Sequence, residues 1–278
     1  MELSQEFWSS WVWPAATAVL GFVFFALVFR QYLQRRRMHQ LAWAIGLFLY
    51  AVAAAMETWS ELTGEWSPFI YRIYIVIAAS LVGFLGLGTL YLVAKKRIWG
   101  DIYFVLLVAA MVIFFIGTFT VQLDMSKLVP GITVGGQALG ASGSFPRVMS
   151  VPINISGSLL LFGGAILSIW RFARRREYAY RMWANVLIAG GALVLAALGG
   201  RARLGDTTGL YAAEMVAAAL MLSGFLLAGT LQKGADAGRA NRDATRAAAA
   251  AAGAAAGTST EPSATTPAGP GDPPTDPA

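Results

Sequence analysis

The chain has no cysteine and a single histidine, His39, among its 278 residues. Without cysteine there are no disulfides, thiolate metal sites, iron–sulfur clusters or cysteine nucleophiles. One histidine excludes every site that needs two, such as a bis-histidine haem or an HExxH zinc centre. Charged residues are scarce, at 13%, against 57% hydrophobic residues, whereas a soluble domain is about 25% charged. These deficits exclude a soluble enzyme, a disulfide scaffold and a coiled coil.

The sequence is instead rich in long apolar runs. A membrane-spanning helix needs about 20 mostly apolar residues, and seven segments approach that length. We therefore expect an all-α, multi-pass membrane bundle of seven helices, with no proline inside a span. The sixth segment is the least apolar of the seven, because glycine and alanine dominate it. The predicted spans are 14–29, 41–56, 70–93, 102–121, 151–170, 183–199 and 209–231.

Basic residues are distributed asymmetrically around these spans. The loops after spans one, three and five, together with the tail, carry 16 of the 21 lysines and arginines. They are Arg30, Arg35, Arg36, Arg37, Lys95, Lys96, Arg97, Arg171, Arg174, Arg175, Arg176, Arg181, Lys233, Arg239, Arg242 and Arg246. Because positively charged loops stay in the cytoplasm, we expect the N-terminus outside and the C-terminus inside. The net charge of +6 is then a topology signal, and no nucleic-acid partner is expected.

The expected organisation has three parts. Residues 1–13 form an extracytoplasmic aromatic N-terminus, which is acidic and so unlike a cleavable signal peptide. Residues 14–233 form the membrane domain. Residues 234–278 form an Ala/Pro-rich cytoplasmic tail, helical in its alanine-rich part and disordered at its proline-rich end. High alanine, glycine and arginine usage is typical of a bacterial protein, so the predicted location is the bacterial cytoplasmic membrane. The basic clusters are interpreted as membrane anchors, with a specific anionic-lipid site as the alternative.

Two outer loops stand out by length. Residues 57–69 contain three glutamates and two tryptophans, and residues 122–150 are rich in glycine. A loop as long as the second is either a lid or re-entrant segment, or mobile. The glycine run 83–88 lies inside span three, so it is interpreted as a helix-packing surface. The same interpretation applies to Gly163, Gly164, Gly190 and Gly191.

Required residues exclude several functions of multi-span proteins. A retinal protein needs a lysine inside its last helix, and span seven has none. An intramembrane aspartyl protease needs two facing aspartates, whereas Asp101 is the one aspartate near a span. An intramembrane serine protease needs serine and histidine deep in the bundle, and His39 lies at the cytoplasmic edge. No cofactor and no metal site are expected.

Polar side chains in the outer third of the spans are the candidate site. Ionisable groups within membrane segments are costly, so each indicates a contact inside the bundle. Two interpretations stay open: carboxylates paired with arginines to hold helices together, or an outward-facing ligand or ion cavity with an aromatic rim. The candidates are Glu214, Glu57, Arg72, Tyr74, Asn154, Arg201 and Arg203.

The stretch RRRMHQLAWAIGLFLYAVAAAMETW, followed by WSPFIYRIYIVIAASLVGFLGLGTLYLVAKKR, resembles the N-terminal seven-helix sensor regions of bacterial histidine kinases. The shared features are an outside N-terminus, a basic first inner loop and an acidic residue ending the second helix. The resemblance covers the first three spans; a separate bacterial seven-helix membrane family is the alternative. Because the Ala/Pro-rich tail follows span seven, a sensor of this kind is expected to signal through a separate protein partner.

Three functions remain open. The first is a sensor or binding subunit with an outer cavity, in contact with the lipid bilayer and a protein partner. The second is a transporter or permease component that uses Glu214 for coupling. The third is a lipid-acting membrane enzyme with Glu214 or Glu57 as general acid or base. Enzymatic activity is the least favoured, because no nucleophile or metal set accompanies these carboxylates.

Overall fold

Helices form nearly all of the described structure, a computed structural model that describes residues 2–130, 136–141, 143–173, 179–203 and 209–257. Within these ranges there are seven α-helices, one short 3-10 helix and no strand. They are α1 (Glu2–Arg35), α2 (Met38–Thr63), α3 (Pro68–Val93), α4 (Ile98–Phe119), the 3-10 helix η1 (Met125–Lys127), α5 (Phe145–Ala173), α6 (Ala179–Arg203) and α7 (Leu210–Gly257). The all-α architecture predicted from composition is confirmed.

Six helices contain stretches that are long and apolar enough to cross a membrane. They are Trp11–Arg35, Met38–Thr63, Pro68–Val93, Ile98–Phe119, Phe145–Leu167 and Leu210–Gly229. Large apolar side chains on α4 are mostly exposed, as a lipid-facing surface requires; Val105 is 63% and Leu106 is 62% exposed. The chain is therefore a multi-pass helical membrane protein. In α6 the described apolar stretch is Val186–Leu195, so the predicted sixth span stays a prediction.

The connection between α2 and α3 is much shorter than expected. α2 continues to Thr63 and ends where Gly64 takes a positive φ of 75° and donates its N–H to the Ser60 carbonyl. This left-handed cap suits glycine, and Pro68 then starts α3 at a position where its missing N–H costs nothing. The predicted loop 57–69 is thus wrong: residues 64–67 connect the helices, and Glu57 lies inside α2.

The starts of α1 and α5 also differ from the prediction. α1 begins at Glu2, so residues 2–13 are helical. α5 begins at Phe145, earlier than the predicted start of the span at residue 151. Pro14 in α1 and Pro152 in α5 lie inside helices, which contradicts the expectation of proline-free spans. Pro152 has no N–H to donate to the carbonyl one turn earlier. The Ser156 hydroxyl donates to the Pro152 carbonyl over 2.6 Å, which adds a hydrogen bond just after this break.

Glycine allows α3 and α5 to approach closely. A methyl group added at Gly157 of α5 would lie 2.6 Å from the Val82 carbonyl of α3, and one added at Gly86 would lie 2.6 Å from the Gly157 oxygen. The two backbones are therefore in direct contact, which confirms the packing interpretation of the glycine run. Gly164 and Gly191 also contact neighbouring helices. For Gly163 and Gly190 the interpretation is wrong, because no described atom lies within 4 Å of an added methyl group.

The last helix is polar and exposed toward its C-terminal end. The chain divides into two units, Met1–Gly229 and Thr230–Ala278. In the second unit, residues 240–251 are helical with exposed side chains, as the alanine-rich composition predicts. The predicted disordered end lies outside the described residues.

Candidate functional site

A cavity of about 480 Å³ lies among α2, α3, α5, α6 and α7 in the first unit. Small side chains line part of this space: Ala53 and Ala54 of α2, and Ala78 and Ala79 of α3. Leucine, isoleucine, valine and phenylalanine cover most of the remaining surface. Four of the predicted site residues line the same cavity: Glu57, Tyr74, Asn154 and Glu214. The hypothesis of a shared cavity is therefore supported for these four.

Glu57 is held inside the bundle by a tyrosine from the next helix. Its side chain is 2% exposed, and the Tyr74 hydroxyl donates to Glu57 Oε1 over 2.5 Å. Trp66 packs against Tyr74 with 4.7 Å between ring centroids and fixes the tyrosine ring. Glu57 Oε2 is buried and receives no hydrogen bond. One carboxylate oxygen is thus satisfied, and the other is left open at the cavity.

Glu214 approaches Glu57 from α7. The Tyr50 hydroxyl of α2 donates to the Glu214 backbone carbonyl over 2.6 Å, which ties the first turn of α7 to α2. The Glu214 side chain lines the same cavity as the Glu57 carboxyl. The cavity therefore contains a carboxyl pair, Glu57 and Glu214.

A second tyrosine–glutamate contact lies about one helical turn further out. The Tyr211 hydroxyl of α7 donates to Glu61 Oε1 of α2 over 2.9 Å. Neither residue is among those that line the cavity. Glu61 follows Glu57 by four residues, so both lie on one side of α2. This contact joins α2 to α7 next to the carboxyl pair without adding a third carboxylate to the cavity.

The described part of the segment between α4 and α5 forms one wall of the cavity. Gly136 and Leu139 line it, and Leu139 is only 1% exposed. Three hydrogen bonds hold the segment: Asp124 N–H to Ala138 O at 2.9 Å, Ser144 Oγ to Leu139 O at 2.7 Å, and Arg147 Nη1 to Gly140 O at 3.1 Å. The described part of this long loop is therefore a packed wall.

Asp124 anchors the beginning of that segment at the surface. Its carboxylate accepts hydrogen bonds from the Ser126 hydroxyl and backbone N–H and forms an ion pair with Lys127 at 3.3 Å. The Ser126 hydroxyl first, and Lys127 next, lower the pKa of Asp124 below its ordinary value. The negative charge thus suits the start of η1.

Arg72, one of the three predicted arginine partners, is bound at the end of α4 instead of at the carboxyl pair. The Arg72 guanidinium donates to the Val121 carbonyl over 3.0 Å and lies 5.1 Å from the centre of the Phe119 ring. Carbonyls just beyond a helix C-terminus attract cations, which explains why Arg72 points to the end of α4. Arg201 is exposed near the end of α6 and is not among the cavity residues; the Arg203 side chain lies outside the described residues. Among described residues, no lysine or arginine is hydrogen-bonded to Glu57 or Glu214.

Sequence reasoning missed three polar groups of the cavity, Tyr50, Arg147 and Ser150. Tyr50 precedes Glu57 by seven residues, so helical spacing alone places both on one face of α2. Arg147 and Ser150 were assigned to a loop, whereas α5 already includes them. Ser158, on the same face of α5 as Asn154, also lines the cavity.

Within the described ranges, no group of three or more histidine, aspartate or glutamate side chains is arranged to hold a metal ion. Comparison with protein-family models, with curated proteins and with solved structures gives no match. The cavity and its residues are therefore the basis for inferring the function.

Proposed function

We propose that this chain is a seven-span protein of the bacterial cytoplasmic membrane, with its N-terminus outside, that binds a small molecule in the outer half of its bundle. The observation that carries the proposal is the cavity itself, because it combines a large apolar surface with a few convergent polar groups. Ligand sites in proteins typically have this composition. As a binding subunit or sensor it would act through a separate protein partner, in line with its resemblance to histidine-kinase sensor regions.

Two features support the topology. The basic residues of the loops after spans one, three and five favour a cytoplasmic position for those loops. The apolar stretch Val186–Leu195 at the centre of α6, in a helix of 25 residues, is consistent with a seventh crossing. That crossing returns the chain to the outside before α7.

Cysteine labelling tests the topology cleanly, because the chain has no cysteine of its own. In intact cells, Ser126→Cys and Arg201→Cys should react with a membrane-impermeant maleimide, and Lys96→Cys should react only after lysis. Position 126 lies in the α4–α5 segment and position 201 near the end of α6, so both are outside in the proposed topology. If Arg201→Cys reacted only after lysis while Ser126→Cys reacted in intact cells, α6 would not span.

Native mass spectrometry of the gently extracted protein tests ligand binding. We expect a small-molecule adduct on the wild-type chain that is lost in Ser158→Trp, because Ser158 lines the cavity and the indole would fill it. Ser223→Trp is the matched control, since Ser223 is exposed on α7 and its substitution leaves the cavity open. An adduct that persisted in Ser158→Trp would place the ligand elsewhere. A wild-type protein with no adduct would count against the proposed binding function.

A transporter that uses Glu214 is the second candidate, and one observation favours it. Pro152 interrupts the hydrogen-bond ladder of α5 at the height of the cavity residues Val151 and Asn154. Transporters often bind substrate beside such interrupted helices. Uptake or efflux of the ligand in proteoliposomes would distinguish a transporter from a sensor, since a sensor binds without moving the ligand across.

A further inference from the structure

The carboxyl pair carries more potential negative charge than its surroundings neutralise. Glu57 Oε1 accepts from Tyr74, Oε2 has no donor, and Glu214 faces the same space. Two ionised carboxylates in one mostly apolar cavity repel each other, because the surrounding side chains screen their charges weakly. This repulsion is relieved when one carboxyl keeps its proton or when a cation enters the cavity.

The walls of the cavity indicate which cation could replace that proton. The described carboxylates provide no three-ligand metal site, so the charge of the pair suits a cation that needs few coordinating atoms. The surface around it is mostly alanine, leucine, valine and isoleucine, which fits an apolar body. Tyr50, Tyr74, Phe114 and Phe162 also line the cavity, and aromatic faces attract organic cations.

We propose that the cavity binds a hydrophobic organic cation, which takes the place of the proton shared by Glu57 and Glu214. The carboxyl O–H bond breaks, the proton leaves to the outer medium, and the cation lies between the two carboxylates. This inference builds on the proposed binding function and assigns the chemical class of the ligand.

Other titratable groups near the pair do not supply a competing cation. They are Tyr50 and Glu61 on α2, Tyr74 on α3, Tyr211 on α7 and Arg147 at the start of α5; the α6 residues that line the cavity are Ala192 and Leu195. Arg147 is the one cation in this set, and the Gly140 carbonyl holds its guanidinium at the outer end of the cavity. The three phenols donate hydrogen bonds and stay neutral.

Two ions of matched size and opposite charge provide the test. Binding of tetraphenylphosphonium and of tetraphenylborate to the full-length protein in lipid nanodiscs is measured by titration calorimetry between pH 6 and 8. The cation should bind and release close to one proton, seen as a binding enthalpy that depends on the buffer. Its Kd should fall about tenfold per pH unit, as expected when one proton is displaced. The borate should bind no better than to empty nanodiscs.

Three single glutamate-to-glutamine variants test which carboxyl groups take part in the exchange of the proton for the cation. Glu57→Gln and Glu214→Gln should each weaken cation binding about tenfold or more, since each removes one of two charges, and should reduce proton release. Glu61→Gln is the matched control, because Glu61 lies one turn from Glu57 but outside the cavity lining, and it should bind as the wild type does. The two ions are compared on the wild-type protein, so this comparison tests the proposed exchange even if a variant does not fold.

The outcomes separate this inference from the function on which it builds. The proposed exchange of the proton for the cation would be wrong if the borate bound more tightly than the phosphonium. It would also be wrong if the phosphonium bound without releasing a proton. If neither ion bound while the wild-type adduct was still lost in Ser158→Trp, the cavity would take a ligand of another class and the binding function would stand. If neither ion bound and no adduct was present, both proposals would fail.

Discussion

Gly157→Val is expected to abolish the folded, monodisperse protein. The added Cβ alone would lie 2.6 Å from the backbone of Val82, a distance at which one helix must move. No flexible side chain can give way there, because the atoms in contact are backbone atoms of α3. Overpacking of a well-packed interior costs about 1–3 kcal/mol, and a clash between two backbones should lie at or above the upper end of that range. Size-exclusion chromatography and the recovery of extracted protein measure the result.

Gly163→Val is the matched control for this substitution. It lies on the same helix and changes the same residue type, but Gly163 is exposed and has no described neighbour within 4 Å of an added methyl group. Its chromatographic profile should match that of the wild type. Equal losses in both variants would show that α5 tolerates valine poorly along its whole length, and the close contact between α3 and α5 would then not explain the effect.

Tyr74→Phe should lower the stability of the bundle by about 1–3 kcal/mol, the cost of leaving a buried polar group without its partner. Glu57 Oε1 would lose its donor, and Oε2 already has none. Adding Glu57→Met should restore most of the loss, because replacing both partners with apolar groups of similar size removes the unsatisfied carboxyl. The measurement is thermal unfolding followed by tryptophan fluorescence in one detergent.

Tyr91→Phe provides the comparison for this prediction. Tyr91 also donates to a carboxylate, Asp101 Oδ1, over 2.7 Å. Both residues are half-buried, Tyr91 near the C-terminal end of α3 and Asp101 in the first turn of α4. Water can replace that donor, so the loss of stability should be small. If Tyr74→Phe and Tyr91→Phe lowered the unfolding temperature equally, burial of the Glu57 carboxyl would not be the cause.

The residues that line the cavity could be predicted from the sequence only in part. Glu57 and Glu214 could be identified as candidates, because a carboxylate within an apolar segment can be recognised in the sequence without knowing how the helix is rotated. Their position in one cavity could not be predicted, since it depends on how α2 and α7 are rotated and on the hydrogen bond from Tyr50 to the Glu214 carbonyl. The expectation for Arg72 was wrong for the same reason: sequence spacing does not show that the end of α4 lies beside it.

Helix ends were the other source of error. Glu57 was placed in a loop because the apolar run of α2 becomes polar there, although the helix continues to Thr63. Hydropathy measures the preference of a segment for lipid, whereas a helix ends where a cap such as Gly64 satisfies its last carbonyls. The same difference explains why α5 starts at Phe145, within the segment that was predicted to be a loop.

The sequence by itself determined the helical membrane class, the approximate positions of six apolar spans (all but that of α6) and the polar residues that are candidates for a site. Those properties depend on apolar length and on the cost of burying charge, both of which are local. Tertiary structure alone decided which polar groups meet, because close glycine contacts such as Gly86 with Gly157 set the distance between helices. Packing of this kind fixes helix rotation through contacts between residues far apart in the chain, and no pattern within one segment records it.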